Sequence, residues 1–263
     1  MSRTGRATRI GLGVYVAAVL LLLFAPLAVM VLFALQPAPR MSFPLSGLSL
    51  RWFDGLLHDG QVGQSLRRSL LVGLGTALGS GVIGTQAALA LVKMSPRTRT
   101  VVTTTALLPL AFPALLYAIG LAVFFHEVGV GFSLWATLAA HIVLTLPFSF
   151  LVIGAALDRF RFTLLEAARD LGATGARAFW TITLPNILPA ILGAMLLSMA
   201  ISVDEFVVAF FTAGPGNQTL PMLLYGRLNL GVTPSLNAIG TLLLVMTTGL
   251  ALLSARATTR RAT

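Results

Sequence analysis

No cysteine occurs in the 263 residues, which excludes disulfides, thiolate metal sites and thiol nucleophiles. Histidine is almost as scarce. His58, His126 and His141 stand too far apart for a metal-ligand spacing, so no metal site is expected. Lysine is reduced to Lys93, and no Gly-x-x-x-x-Gly-Lys-Ser/Thr segment exists, so the chain carries no Walker-type ATP site. Charged residues make up only 10% of the chain, and no paired acids converge within its apolar segments, so neither an enzyme nor a bound cofactor is expected. The formal net charge of +10 sits in short basic clusters between apolar runs, which argues against nucleic acid as a partner.

What remains is apolar: 57% of the residues are hydrophobic, far too many for a soluble domain of this size. A spanning helix needs about 20 apolar residues. The chain is therefore expected to be an all-α integral membrane protein, one transmembrane domain over residues 1–263 in contact with the lipid bilayer. Six spans are expected at about 10–35, 64–92, 100–125, 134–157, 187–213 and 236–254, with a polar loop over 158–186. The first run is too long for a signal peptide and lacks a convincing cleavage site, so it reads as an uncleaved span kinked at Pro26. Gly75 and Gly79 form a small-xxx-small pair that lets the second span approach a neighbour closely. Pro109 and Pro113 predict a broken or kinked third span. The segments 36–63 and 214–235 read as loops. Asn217-Gln218-Thr219 matches a glycosylation pattern by coincidence.

Six spans put both termini on one side. On that side lie Arg3, Arg6, Arg9, Arg256, Arg260 and Arg261 in the tails and Lys93, Arg97, Arg99, Arg159, Arg161, Arg169 and Arg177 between the spans, whereas Arg40, Arg51, Arg67, Arg68 and Arg227 lie opposite. The bias predicts a cytoplasmic location for both termini and for the 158–186 loop.

That loop contains Glu166-Ala167-Ala168-Arg169-Asp170-Leu171-Gly172 and then Ile182-Thr183-Leu184-Pro185. The spacing resembles the EAA loop of ABC-importer permeases: Glu-Ala-Ala, Gly six positions after the Glu, nine residues, then Ile-x-Leu-Pro. Ala167 and Ala168 favour a helix with a small profile, Gly172 allows a turn at its end, and Pro185 restricts entry into the fifth span. Ser202 to Phe206, Gly214-Pro215-Gly216, Thr219-Leu220-Pro221 and Gly231 to Ala238 resemble the C-terminal third of spermidine/putrescine permeases.

The resemblance implies a type I ABC-importer permease in the bacterial cytoplasmic (inner) membrane. It implies two ABC ATPase subunits, a second related permease and a soluble or lipid-anchored substrate-binding protein as partners. Glu166, Ala167, Ala168, Asp170, Gly172, Leu184 and Pro185 would then couple to the ATPase. The solute would be a polyamine, with another small solute as the alternative, and a secondary carrier or channel as the rival class; no internal repeat supports that rival.

Asp204 and Glu205 are the acids expected inside an apolar span, where a charge costs at least about 2.5–3.5 kcal/mol at mid-bilayer and demands a partner or water. They are expected in the outer half of the fifth span, pointing about 100° apart on one helix. Both are candidates for the substrate pathway, Asp204 more so, since Glu205-Phe206 also reads as a packing feature. Tyr117 is a further pathway candidate. Trp135 and Tyr225 read as interfacial anchors, and His141 as a hydrogen-bonded bundle residue.

Overall fold

The computed structural model describes residues 3–259, without the side chains of 3–7 and 259. Of the basic residues counted for topology, Arg260 and Arg261 lie outside the described residues, as do the side chains of Arg3 and Arg6. No strand occurs among the described residues. Five helices are long and apolar enough to cross a membrane, and a bent pair of helices is long and apolar enough when its two members are taken together.

Contacts group the chain into two compact units, Met1–Gly63 with Leu224–Leu242, and Gln64–Leu223 with Leu243–Thr263. In the first, α1 (Arg3–Ala34) runs through Pro26 without interruption, and its apolar stretch Thr8–Ala34 is exposed or half-buried up to Ala34, which is fully buried. The expected loop contains a helix, α2 (Arg51–His58). It is held by Trp52, whose Nε1 donates to the carbonyl of Gln36 at 2.7 Å, and by Arg51, whose guanidinium donates to the carbonyl of Pro37 at 2.8 Å. Asp59 then accepts the N–H groups of Gln61 and Val62, at 3.0 and 3.2 Å. This cap starts α3 (Gly60–Val92) four residues earlier than the sequence suggests.

The second unit is built around α3 and two helices that use its glycines. α4 (Pro96–Leu107) is capped by Ser95 with proline in its first turn, as sequence rules favour. A 3₁₀ turn (Leu108–Ala111) follows, and Pro113 precedes α5 (Ala114–Glu127), which is turned by 101° from the preceding segment. The third span is thus fractured rather than kinked.

Its two ends nonetheless lie at opposite ends of one helix. Near its start Arg99 is ion-paired with Asp158, the last residue of α6 (Leu134–Asp158), and its end leads through residues 128–133 to the first residue of that helix. The fractured segment therefore traverses the length of α6, about 37 Å at 1.5 Å per residue.

α6 keeps the predicted bounds to within one residue. After it come α7 (Thr163–Asp170) and α8 (Gly175–Ala178). A π-turn over Phe179–Thr183 leads into α9 (Leu184–Asp204). The fifth span's helix therefore begins at Gly175, and most of the expected loop to Asn186 is helix. The polar residues there satisfy local carbonyls: Thr181 donates to Arg177 at 2.7 Å and Asn186 to Ile182 at 2.7 Å. The wider π-turn lies where the ring of Pro185 and its missing N–H would disturb an α-helical ladder.

α9 stops at Asp204, and the short α10 (Val207–Thr212) follows a break, so the expected continuous helix over 187–213 is two helices. The loop expected over 214–235 contains α11 (Leu220–Leu228). The last span is α12 (Pro234–Thr259).

On α3, a Cβ at Gly75, Gly79 or Gly84 would fall 2.8, 2.5 and 2.8 Å from Leu138, Ile142 and Ser149 of α6. At Gly73 and Gly81 it would fall 2.9 and 2.5 Å from Val203 and Met195 of α9. One glycine-rich helix thus serves two neighbours. Below these contacts an apolar cluster of Ala88, Leu91, Phe150, Ile153, Leu157, Ile187, Ile191 and Ala194 joins α3, α6 and α9.

Candidate functional site

The loop that carries the EAA spacing folds as a helix with a defined stop. At the end of α7, Gly172 takes φ of +83° and donates its N–H to the carbonyl of Arg169 at 2.8 Å. Ala173 donates to that of Ala168 at 2.9 Å. This pair of bonds is a Schellman motif, and it requires the left-handed residue that glycine supplies without strain. Glu166, Ala167 and Asp170 face outward, and Leu171 just beyond them is 89% exposed. Ala168 is turned inward and buried, so of the two alanines only Ala167 belongs to the outer face. Leu184 packs against the α3–α6–α9 cluster, while Pro185 is exposed in the first turn of α9.

The second constellation is the break between α9 and α10. Asp204 is the last residue of α9, and Glu205 has extended backbone, with φ −74° and ψ 112°. The two acids are therefore not successive positions of one helix, as expected from sequence. Glu205 is half-buried, and its Oε1 accepts the N–H of Val208 at 3.1 Å. A carboxylate at the start of α10 suits the positive end of that helix. Asp204 is exposed, and its carboxylate makes no hydrogen bond or ion pair among the described residues. It opens onto a cleft of about 420 Å³ that it lines with Glu205, Ala200 and Ile201 and with Thr247 and Thr248 of α12. At the carbonyl end of α9 its charge adds to the negative pole of the helix, an arrangement that attracts a cation.

Tyr117, on the first turn of α5, is half-buried against the cluster of Ala118, Phe125, Ala136, Ala140 and Val208. Its hydroxyl lies 3.5 Å from the carbonyl of Ala140. It shares that cluster with Val208, whose N–H Glu205 accepts, and does not line the Asp204 cleft.

His141, isolated in the sequence, is part of a buried chain across three helices. Its Nδ1 lies 2.8 Å from Ser202 Oγ, which donates to Thr76 Oγ1 at 3.3 Å. Ser149 and Ser198 add a second link between α6 and α9, at 2.9 Å. A polar residue in each of three apolar spans was the available signal. Trp135 and Tyr225 are exposed, as anchors at a membrane interface are. Thr219 is buried, and Asn217 donates to the carbonyl of Ala213 at 3.0 Å, so that tripeptide is part of the fold.

Residues 80–261 match the model of the family described as binding-protein-dependent transport system inner membrane component. The chain belongs to that family. This permease is 30% identical to the spermidine/putrescine transport system permease protein PotC of Escherichia coli over 234 residues, 89% of this chain and 88% of that protein. It is 33% identical to the putrescine transport system permease protein PotI of Escherichia coli, over 84% of this chain and 81% of the other. A protein of Salmonella typhimurium provisionally named a 2-aminoethylphosphonate transport system permease is 30% identical over 82% of each chain.

Among solved structures, the fold is similar to that of a bacterial ABC transporter involved in import of the acidic polysaccharide alginate. The TM-score is 0.72 at 17% identity, covering 100% of this chain and 99% of that one. The permease is thus an all-α, multi-pass subunit of a binding-protein-dependent ABC importer, with the type I fold.

Proposed function

We propose that this permease imports a polyamine, with Asp204 on the solute's path and the α7 loop receiving the drive from ATP hydrolysis. The observation that carries the substrate class is the acid at the carbonyl end of a broken span, its carboxylate without a partner of its own and open to a cleft. Relatives named for spermidine and putrescine support the same reading, while the phosphonate-named relative at similar identity makes sequence likeness alone indecisive.

The whole chain acts as one permease domain paired with a second, related permease, because six crossings supply one wall of a path. Of two ATPase subunits, one binds the exposed side of α7 through Glu166, Ala167, Asp170 and Gly172, with Leu184 and Pro185 carrying the motion into α9, and the other serves the second permease. A soluble or lipid-anchored binding protein delivers the solute to the opposite face. Both termini and the α7 loop lie in the cytoplasm, in keeping with the basic residues Lys93, Arg97, Arg99, Arg159, Arg161, Arg169 and Arg177 at that end of the spans.

The test is uptake by the complete importer reconstituted with its own binding protein. Labelled putrescine or spermidine is expected to enter with ATP, and 2-aminoethylphosphonate to enter far more slowly. Preference for the phosphonate would overturn the polyamine reading and leave the importer class intact.

A further inference from the structure

A second cleft lies at the other end of the same unit, behind α7, and nothing in the transport reading uses it. Its volume is about 680 Å³, within the range of about 300–1,000 Å³ typical of ligand cavities. Leu89 from the last turns of α3, Leu157 from the end of α6, Leu165 of α7 and Phe179 of the π-turn make its walls apolar. Two cations line it from different elements: Lys93, the only lysine of the chain, one residue beyond α3, and Arg169 of α7. Neither is ion-paired among the described residues, and no acid lines the cleft.

The depth of the cleft narrows its occupant. Its walls come from the terminal turns of two membrane spans, and its cations stand where those spans leave the apolar layer. A free phosphate or a nucleotide would satisfy the cations and leave the walls wet. An acyl chain would satisfy the walls alone. A molecule with an anionic head and an apolar tail fits both, and basic pockets between spans at the cytoplasmic side suit such headgroups.

We infer that this cleft binds an anionic phospholipid of the cytoplasmic leaflet, its phosphate between Lys93 and Arg169 and one acyl chain against Leu89, Leu157 and Phe179. The inference rests on the cytoplasmic placement of the α7 loop proposed above. The lipid would stand against the inner side of the helix that meets the ATPase, so the site offers the membrane's charge a direct contact with that helix.

The test uses the complete importer in membranes containing phosphatidylglycerol with a photoreactive group on its acyl chain. Label is expected in the peptides spanning residues 89–94 and 162–183. Lys93→Gln is expected to reduce it roughly fivefold, the factor that about 1 kcal/mol per surface cation implies. Ala90→Trp fills the cleft from an exposed position and is expected to abolish it. Equal labelling by the phosphatidylcholine probe, or label unchanged in both variants, would overturn the site. So would label that appears only after the ATPase is stripped off, since the cleft would then belong to that subunit. Labelling needs no transport, so its failure is distinguishable from failure of the polyamine reading.

Discussion

His141 on α6 is joined to Ser202 on α9 by a 2.8 Å hydrogen bond whose direction is set by a third residue. Ser202 gives its one hydroxyl proton to Thr76, so it accepts from His141, whose Nδ1 must carry the hydrogen. His141→Leu keeps the bulk and leaves Ser202 without its donor. We expect a loss of about 1–3 kcal/mol, the cost of stranding a buried polar group. It would be read as a lower thermal transition of the assembled permease.

The glycines of α3 separate two kinds of close contact. A methyl group at Gly75 would meet the end of the Leu138 side chain, which can rotate away. At Gly84 it would meet Ser149 Cβ at 2.8 Å and the backbone of Phe150 at 3.4 Å, which cannot. Gly84→Ala is therefore expected to destabilise by about 1–3 kcal/mol and Gly75→Ala by clearly less. Thermal unfolding of the two variants side by side checks the order.

The periodicity of apolar runs locates the crossings, and α6 matches to within a residue because Ser133 and Asp158 bracket it with polar groups. The fracture of the third span is announced by Pro109 and Pro113, but its 101° angle is set by packing of α5 against α6 and α10. The break after Asp204 has no glycine or proline to mark it. It is sustained by the Glu205 side chain bonding Val208, a tertiary choice that local pattern does not reveal. The helix over 175–186 was obscured because Arg177, Thr181, Asn186 and Pro185 read as loop chemistry.

The ion pair of Asp59 and Arg227, at 2.7 Å, predicts a pH dependence at the start of α3. Partial burial raises the carboxyl's pKa, but the Arg227 guanidinium and the N–H groups of Val62 and Gln61 outweigh it and hold the value below the ordinary 3.8. A depressed carboxyl stabilises the fold above its ordinary pKa and loses that contribution as pH falls through the lowered one. Asp59→Asn is therefore expected to cost roughly 0.5–1 kcal/mol near neutrality, a modest figure because both side chains are partly exposed. The gap to wild type should close in thermal scans taken stepwise below pH 3.8.

Gly172 stands in open space, so its substitution tests backbone conformation alone. Gly172→Val forces a β-branched residue to φ of +83°, at a cost of about 1–2 kcal/mol or more, and opens the Schellman stop of α7. Gly172→Asn tolerates that region better. The expected outcome is an importer that assembles in both cases, with solute-stimulated ATP hydrolysis largely lost in the valine variant and largely kept in the asparagine one. Equal coupling in the two would remove the role proposed for this turn.

Asp204 and Glu205 are adjacent acids with opposite circumstances, and this difference predicts a separation of phenotypes. Glu205 caps α10, so Glu205→Gln, which retains an acceptor for the Val208 N–H, should alter stability slightly and uptake little. Asp204 caps nothing, so Asp204→Asn should leave assembly and the thermal transition unchanged. A cation passing within about 4 Å of the carboxylate gains about 1–4 kcal/mol between the limits of bulk water and a protein surface. Taking the wet end of that range, about 1–2 kcal/mol, uptake of labelled putrescine at subsaturating concentration should fall about five- to thirtyfold in Asp204→Asn. Spermidine, with one more positive charge, should be affected at least as strongly. Unchanged uptake by an assembled Asp204→Asn importer would take this residue off the path and return the acid at the helix break to an unexplained cost.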